Sequence, residues 1–180
     1  MINQESFFNA YYFALKAHGD QKRIGGEKYI NHPLRVAKRT EIFFPDNEPL
    51  VLAAMLHDVL EDTDVDAAWM HDHFGFVVTK YVRLLTKTPK VEGINRKQRF
   101  ISDMTHLKNA RKEIESVKLI DRIDNLQDVS LFKISFLKVY YDESRMMLNM
   151  LDRAKPELRD ELKAVLDDIN YTYNLGEKTV

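Results

Sequence analysis

Apolar side chains return every three or four residues along nearly the whole chain, and strand-like alternation is scarce. Phe7, Phe8, Tyr11, Tyr12 and Leu15 form one such series; Leu50, Leu52, Ala53, Leu56, Val59 and Leu60 another; Ile114, Val117, Leu119 and Ile120 a third. That period puts the apolar groups on one helical face, so the chain is expected to be all-α. Breaks fall at Gly19-Asp20, Gly25-Gly26, residues 45–49, Gly75, residues 89–93 and Pro156. The segments between them suit roughly eight or nine helices of ordinary length. Pro33 and Pro49 fit first helical turns, where a missing N–H costs nothing, and Pro156 opens the last helix in the same way. Thr63 or Asp64 is expected to cap a short helix ending before Gly75. With 180 residues and 44% hydrophobic content, the chain can bury one substantial core. One domain over residues 1–176 is therefore expected, with 177–180 as a free tail.

Charge is informative only when resolved along the chain. The sum is −1, yet residues 47–79 hold seven acids and no Lys or Arg, whereas residues 80–122 hold twelve basic residues against five acidic ones. A cation-seeking segment followed by an anion-seeking one suits metal-dependent chemistry on phosphates, while solvated helix faces would give the same tally. The near-zero total argues against a nucleic-acid coat or a membrane-surface protein. Nothing approaches the ~18 apolar residues of a membrane span, and the opening MINQESFFNAYYF lacks a basic stretch leading into an apolar one, so a reducing cytoplasm is the expected location.

No cysteine is present, which leaves His, Asp and Glu as the only metal ligands of consequence. The densest candidates lie in LAAMLHDVLEDTD, residues 52–64. On a helix His57 and Glu61 are four apart, as are Asp58 and Asp62, so two pairs of titratable groups leave one end of an otherwise apolar helix. Partly dehydrated carboxylates there cost several kcal/mol unless a cation or hydrogen-bond donors meet them. His32, fixed ahead of Pro33, and Asp121, closing the apolar run 117–120, are candidates to complete a site suited to Mn²⁺, Mg²⁺, Fe²⁺ or Zn²⁺. Such a site can acidify water enough to yield hydroxide at neutral pH.

The ordered motifs YINHP (29–33), LHDVLEDT (56–63), HFG (73–75), LLTK (84–87) and VKLIDRIDNLQDV (117–129) resemble the HD-domain hydrolases of the RelA/SpoT type, and AHGDQKRIGGEKYINHP (17–33) is similar to that family's opening. The resemblance implies an all-α HD-domain bundle that removes the 3′-pyrophosphate from guanosine alarmones, giving GDP or GTP from (p)ppGpp, as in the small hydrolase-only branch. It further implies His32, His57, Asp58 and Asp121 as ligands of one Mn²⁺ per chain, other divalent ions being compatible. Glu61 and Asp62 would be the catalytic pair that activates water, and Arg23, Tyr29, Asn125 and Arg122 would meet the nucleotide. Lys87, Lys90, Arg96, Lys97, Arg99, Lys108, Arg111 and Lys112 are further candidates for its phosphates. Two positions depart from the family pattern: Ile24 stands where many relatives have Lys, and Asp124 where most have His or Tyr. They leave room for another nucleotide, such as NADPH, and an inert alarmone-binding module is the alternative outside enzymes. A small-molecule substrate with neither nucleic acid nor membrane as partner is expected; the oligomeric state stays open, a homodimer among the options. His71 and His73 diverge at two-residue spacing and are read as surface residues. His18 is read as a helix-end hydrogen-bonding residue, and the aromatics from Phe7 to Phe13 as core or subunit contact.

Overall fold

The computed structural model describes residues 2–90 and 92–176; the expected tail at 177–180 lies outside them. The described residues form nine α-helices and one short 3₁₀ turn, with a lone antiparallel bridge between Lys22 and Lys28 as the only β pairing. The all-α expectation therefore holds. Two compact units divide the chain, Met1–Pro89 and Lys90–Val180.

In the first unit α1 (Gln4–His18), α2 (Asn31–Phe43), α3 (Glu48–Leu56), α4 (Val59–Asp62) and α5 (Ala67–Leu85) follow one another. Every residue from Leu50 to Leu56 is buried, so α3 is the central helix, and α1, α2 and α5 pack around it. A helix apolar on all sides must be enclosed in this way. Full burial of side chains such as Leu50, Met55 and Leu56 contributes about 1.5–3 kcal/mol each. Helix starts follow local chemistry: Asn3 accepts from the Ser6 N–H, and Asn47 from the Leu50 N–H just ahead of Pro49.

Two local expectations change. Asp66, not Thr63 or Asp64, caps α5, accepting from the Trp69 N–H at 2.7 Å. Thr63 is instead spent on the preceding turn, donating to the Val59 carbonyl and accepting from the Val65 N–H. The helix also resumes beyond Gly75, whose φ of 77° and ψ of 169° make a kink only glycine adopts without strain.

The second unit contains α6 (Arg96–Lys108), α7 (Lys112–Leu126), the 3₁₀ turn Val129–Leu131, α8 (Ile134–Met150) and α9 (Pro156–Tyr173). Its central helix is α7, with α6, α8 and α9 against it. All residues from Ile114 to Asp124 are buried, several of them charged; Lys118 and Asp121 pair within the helix, while Arg153 reaches Glu115 from outside it. Glu115, fully buried, accepts from the backbone N–H and guanidinium of Arg153, which also donates to the Lys108 and Ala110 carbonyls. Removing either partner of such a pair would strand a buried charge. Among the described residues no helix is long and apolar enough to cross a membrane.

Candidate metal centre

The candidate centre begins at a break in the helix expected through residues 50–62. Helix α3 ends at Leu56, His57 and Asp58 form a turn, and α4 starts at Val59. The turn aims both side chains inward, towards the buried His32 in the first turn of α2. The Nε2 atoms of His57 and His32 lie 3.1 and 3.6 Å from Asp58 Oδ2, and the two imidazole rings are 5.1 Å apart at 73°. Three ligand atoms, one from each residue, lie within 4.8 Å of one another.

Hydrogen-bond roles identify what this cluster wants. His57 Nδ1 stands 2.8 Å from the Ala54 carbonyl, which can only accept, so Nδ1 carries the proton. In the neutral ring Nε2 then presents a lone pair to the carboxylate of Asp58. Two electron-rich groups meeting in a buried space call for a proton or a metal ion between them, and fixing the outer ring nitrogen on a carbonyl is how proteins orient metal-binding histidines. Burial by itself would raise the Asp58 pKa; when a proton fills that gap, the charge of His57 and the hydrogen bonds and charge of both histidines outweigh burial and hold the carboxyl well below its usual range. The site thus offers an ionised oxygen with two imidazole nitrogens, a donor set that fits a divalent cation.

Around this triad lies a hydrogen-bonded layer. The Tyr29 hydroxyl reaches Asp58 Oδ2 at 2.6 Å and Asp62 Oδ2 at 3.1 Å. A phenol has one proton to give, and of the two carboxylate acceptors Asp58 makes the shorter contact. Desolvation and the negative charges of Asp58 and Glu61 raise the Asp62 pKa, despite the opposing hydrogen bond from Tyr29 and charge of Lys87. Glu61 takes a different partner: Lys87 donates its ammonium to Oε1 at 2.7 Å and its backbone N–H to Oε2 at 3.2 Å. Gln21 donates to the Asp62 carbonyl at 2.8 Å, and its own Oε1 lies 2.9 Å from Nδ1 of His18.

A raised pKa means that the folded protein binds the Asp62 proton more tightly than the unfolded chain does. The associated stability is complete below the unfolded carboxylate range and is lost as pH rises through the folded value. At neutral pH the ionised side chain is therefore a burden. Asp62→Asn is expected to raise the melting temperature of metal-free protein at pH 7 by a few degrees, a gain that vanishes below about pH 4. Thermal melts across that range check it; an equal shift at every pH would contradict it.

The other expected site residues occupy several settings. Arg23 is half-buried in the loop between α1 and α2, where its N–H meets the Glu27 carbonyl and its carbonyl takes the Gly26 N–H, with Ile24 exposed beside it. Asp121 lies on α7 in the second unit, buried, its carboxylate 3.0 Å from Lys118 Nζ and accepting from Asn125 Nδ2 at 2.5 Å. Asn125 thus spends its amide on Asp121. Arg122, expected at substrate, is buried with its guanidinium 3.9 Å from the Tyr140 ring centre and donating to Ser144 Oγ at 3.2 Å. These contacts give it a packing role inside the second unit. Asp124 is buried as well, so the charge noted as a departure does not face solvent.

Much of the basic segment is matched locally. Arg96 forks onto Glu143, Arg99 bonds the Ile94 carbonyl, Arg111 lies near Glu113 and Lys108 near Asp152. For those cations the solvated-face reading is the better one. His71 is exposed beside Asp72, and His73 stacks on Trp69 at 3.5 Å while donating to its carbonyl, as expected of surface residues. His18 is hydrogen-bonded at the end of α1 but buried. Sequence reasoning missed Lys118 and Gln21 and read Lys87 only as a phosphate cation. The three-residue step from Lys118 to Asp121 on one helix face was the available signal for the first.

An all-α chain that gathers His32, His57 and Asp58 at a helix junction defines a class, the helical metal-site domain. The chain belongs to the HD domain family, whose model matches residues 10–136. It is 36% identical over 129 residues to a guanosine-3′,5′-bis(diphosphate) 3′-pyrophosphohydrolase of Aquifex aeolicus, covering 72% of this chain and 18% of that protein. It is 29% identical over 180 residues to a probable enzyme of the same name from Mycoplasma pneumoniae, covering 92% of this chain and 24% of the relative. The chain thus spans about a fifth to a quarter of the length of these curated relatives. Among solved structures, a metazoan ortholog of SpoT described as hydrolysing ppGpp superposes with a TM-score of 0.82 at 21% identity, covering 94% of this chain and 98% of that one. At that identity the likeness establishes a shared fold.

Proposed function

We propose that the protein is a Mn²⁺-dependent hydrolase that removes the 3′-pyrophosphate from (p)ppGpp, releasing GDP or GTP and pyrophosphate, in the cytoplasm. The observation that carries this reading is the buried His32, His57 and Asp58 cluster with the Glu61-Asp62 pair one turn beyond it. Names of the Aquifex and Mycoplasma relatives support the substrate class. His32, His57 and Asp58, with Asp121 as fourth ligand, would hold one ion per chain; when bound, the ion supplies charge neutralisation on the phosphate and acidifies water.

The chain's own groups do the rest. Glu61, steadied by Lys87, orients the attacking water and accepts its proton. Asp62, whose pKa is raised, relays a proton towards the leaving side. Arg23 packs on the guanine base, and Asn125, tied to Asp121, meets the sugar region. We take both units as one HD-type domain over residues 1–176, since the family match runs from 10 to 136 across Pro89. The chain corresponds to the hydrolase-only branch in this reading.

A second reading, hydrolysis of another nucleotide such as NADPH, rests on Ile24, an exposed apolar residue beside Arg23 where many relatives carry a cation. Ranking ppGpp, pppGpp, NADPH and other phosphorylated nucleosides by kcat/KM separates the two. The alarmones are expected to lead by at least about tenfold, a margin of roughly 1.4 kcal/mol in transition-state binding. A non-alarmone at the top would overturn the substrate assignment.

A further inference from the structure

The triad does not hold its own shape. Asp58 accepts from the Tyr29 hydroxyl through Oδ2, the same oxygen that faces both imidazoles. Tyr29 is seated in turn: its ring packs 4.7 Å from that of the buried His18, and its backbone N–H donates to the Gln21 carbonyl at 3.0 Å. The same Gln21 uses its amide to bond both His18 Nδ1 and the Asp62 carbonyl. One run of contacts thus leads from the end of α1, through the loop before α2, to the carboxylates of Asp58, which precedes α4, and Asp62, which ends it.

We propose that Tyr29, seated by His18 and Gln21, is a positioning residue that fixes the Asp58 carboxylate for the metal and sets its spacing from Asp62. This goes beyond the nucleotide contact expected of Tyr29, and it rests on the metal reading above. The hydroxyl is already engaged by two carboxylates, so its effect on substrate passes through them. Partners behind a metal ligand raise affinity by holding it in one orientation, and losing one such partner costs about 10–100-fold in metal binding or activity.

The test is Tyr29→Phe, which keeps the ring against His18 and removes only the hydroxyl. Mn²⁺ binding to metal-free protein is measured by calorimetry, alongside the melting temperature and steady-state kinetics with ppGpp. Expected are a Kd for Mn²⁺ raised at least about tenfold, an almost unchanged apo melting temperature, and at saturating Mn²⁺ a lower kcat with unaltered KM. An unchanged Kd overturns the proposal, whether the variant shows a raised KM, as a substrate contact would, or only a lower melting temperature. Gln21→Leu alters an exposed residue and is expected to weaken Mn²⁺ binding in the same direction by a smaller factor. Should Tyr29→Phe fail to fold, an unchanged Kd in Gln21→Leu overturns the proposal by itself. A wild-type protein that binds no Mn²⁺ does so too. Wild-type protein that binds Mn²⁺ but leaves ppGpp intact sinks the alarmone reading alone, and the Kd comparison still decides the role of Tyr29.

Discussion

Asp58→Ala is expected to lose tight Mn²⁺ binding and, with it, at least about a thousandfold in turnover, since the metal's contribution to transition-state charge is worth several kcal/mol. The side chain is the single anionic member of the cluster and the point where His32, His57 and Tyr29 converge. Without it, only the two neutral imidazoles and the proposed Asp121 remain, a donor set short of one anionic ligand for a hard or borderline ion. The helices should survive, because α3 is enclosed by α1, α2 and α5 whatever follows its end. Far-UV circular dichroism, metal analysis and a turnover assay on one preparation check this. A folded variant that retains wild-type metal content and rate would contradict the site assignment.

The second large effect is expected from Glu61→Gln. Glutamine keeps the shape and can still accept the Lys87 backbone N–H, but it cannot take a proton from water. Loss of a general base lowers the rate by about 10²–10⁴-fold. Metal affinity should stay at the wild-type level, because Glu61 lies outside the triad whose atoms share the ion site. The split separates it from Asp58→Ala, where metal and rate fall together. Single-turnover kinetics at saturating Mn²⁺ is the measurement; a wild-type rate would remove Glu61 from the chemistry.

Helical architecture was legible because enclosure of α3 and α7 depends on apolar runs that stand out in one dimension. Which acid caps a helix was less so: Thr63, Asp64 and Asp66 are equivalent in type, and the choice falls to the turn after α4, which consumes Thr63. The triad was readable down to residue numbers, although the break at His57-Asp58 was not. A turn whose backbone stays near helical values leaves no mark in composition. Partnerships across long separations were also hidden. Lys87 meeting Glu61, Arg96 meeting Glu143 and Arg153 meeting Glu115 depend on tertiary packing, so a basic segment that reads as a phosphate surface is largely matched within its own unit. Arg122 illustrates the same limit, since a cation inside an apolar helix reads alike whether it meets substrate or the face of a neighbouring tyrosine.

The central claim meets its most direct test in the products formed from ppGpp. Protein loaded with Mn²⁺ is expected to convert ppGpp to GDP and pyrophosphate in equal amounts, with the reaction stopped by chelation and restored by added Mn²⁺. Intact ppGpp after prolonged incubation with the metal-loaded protein, or release of phosphate from the 5′ side instead, would contradict it.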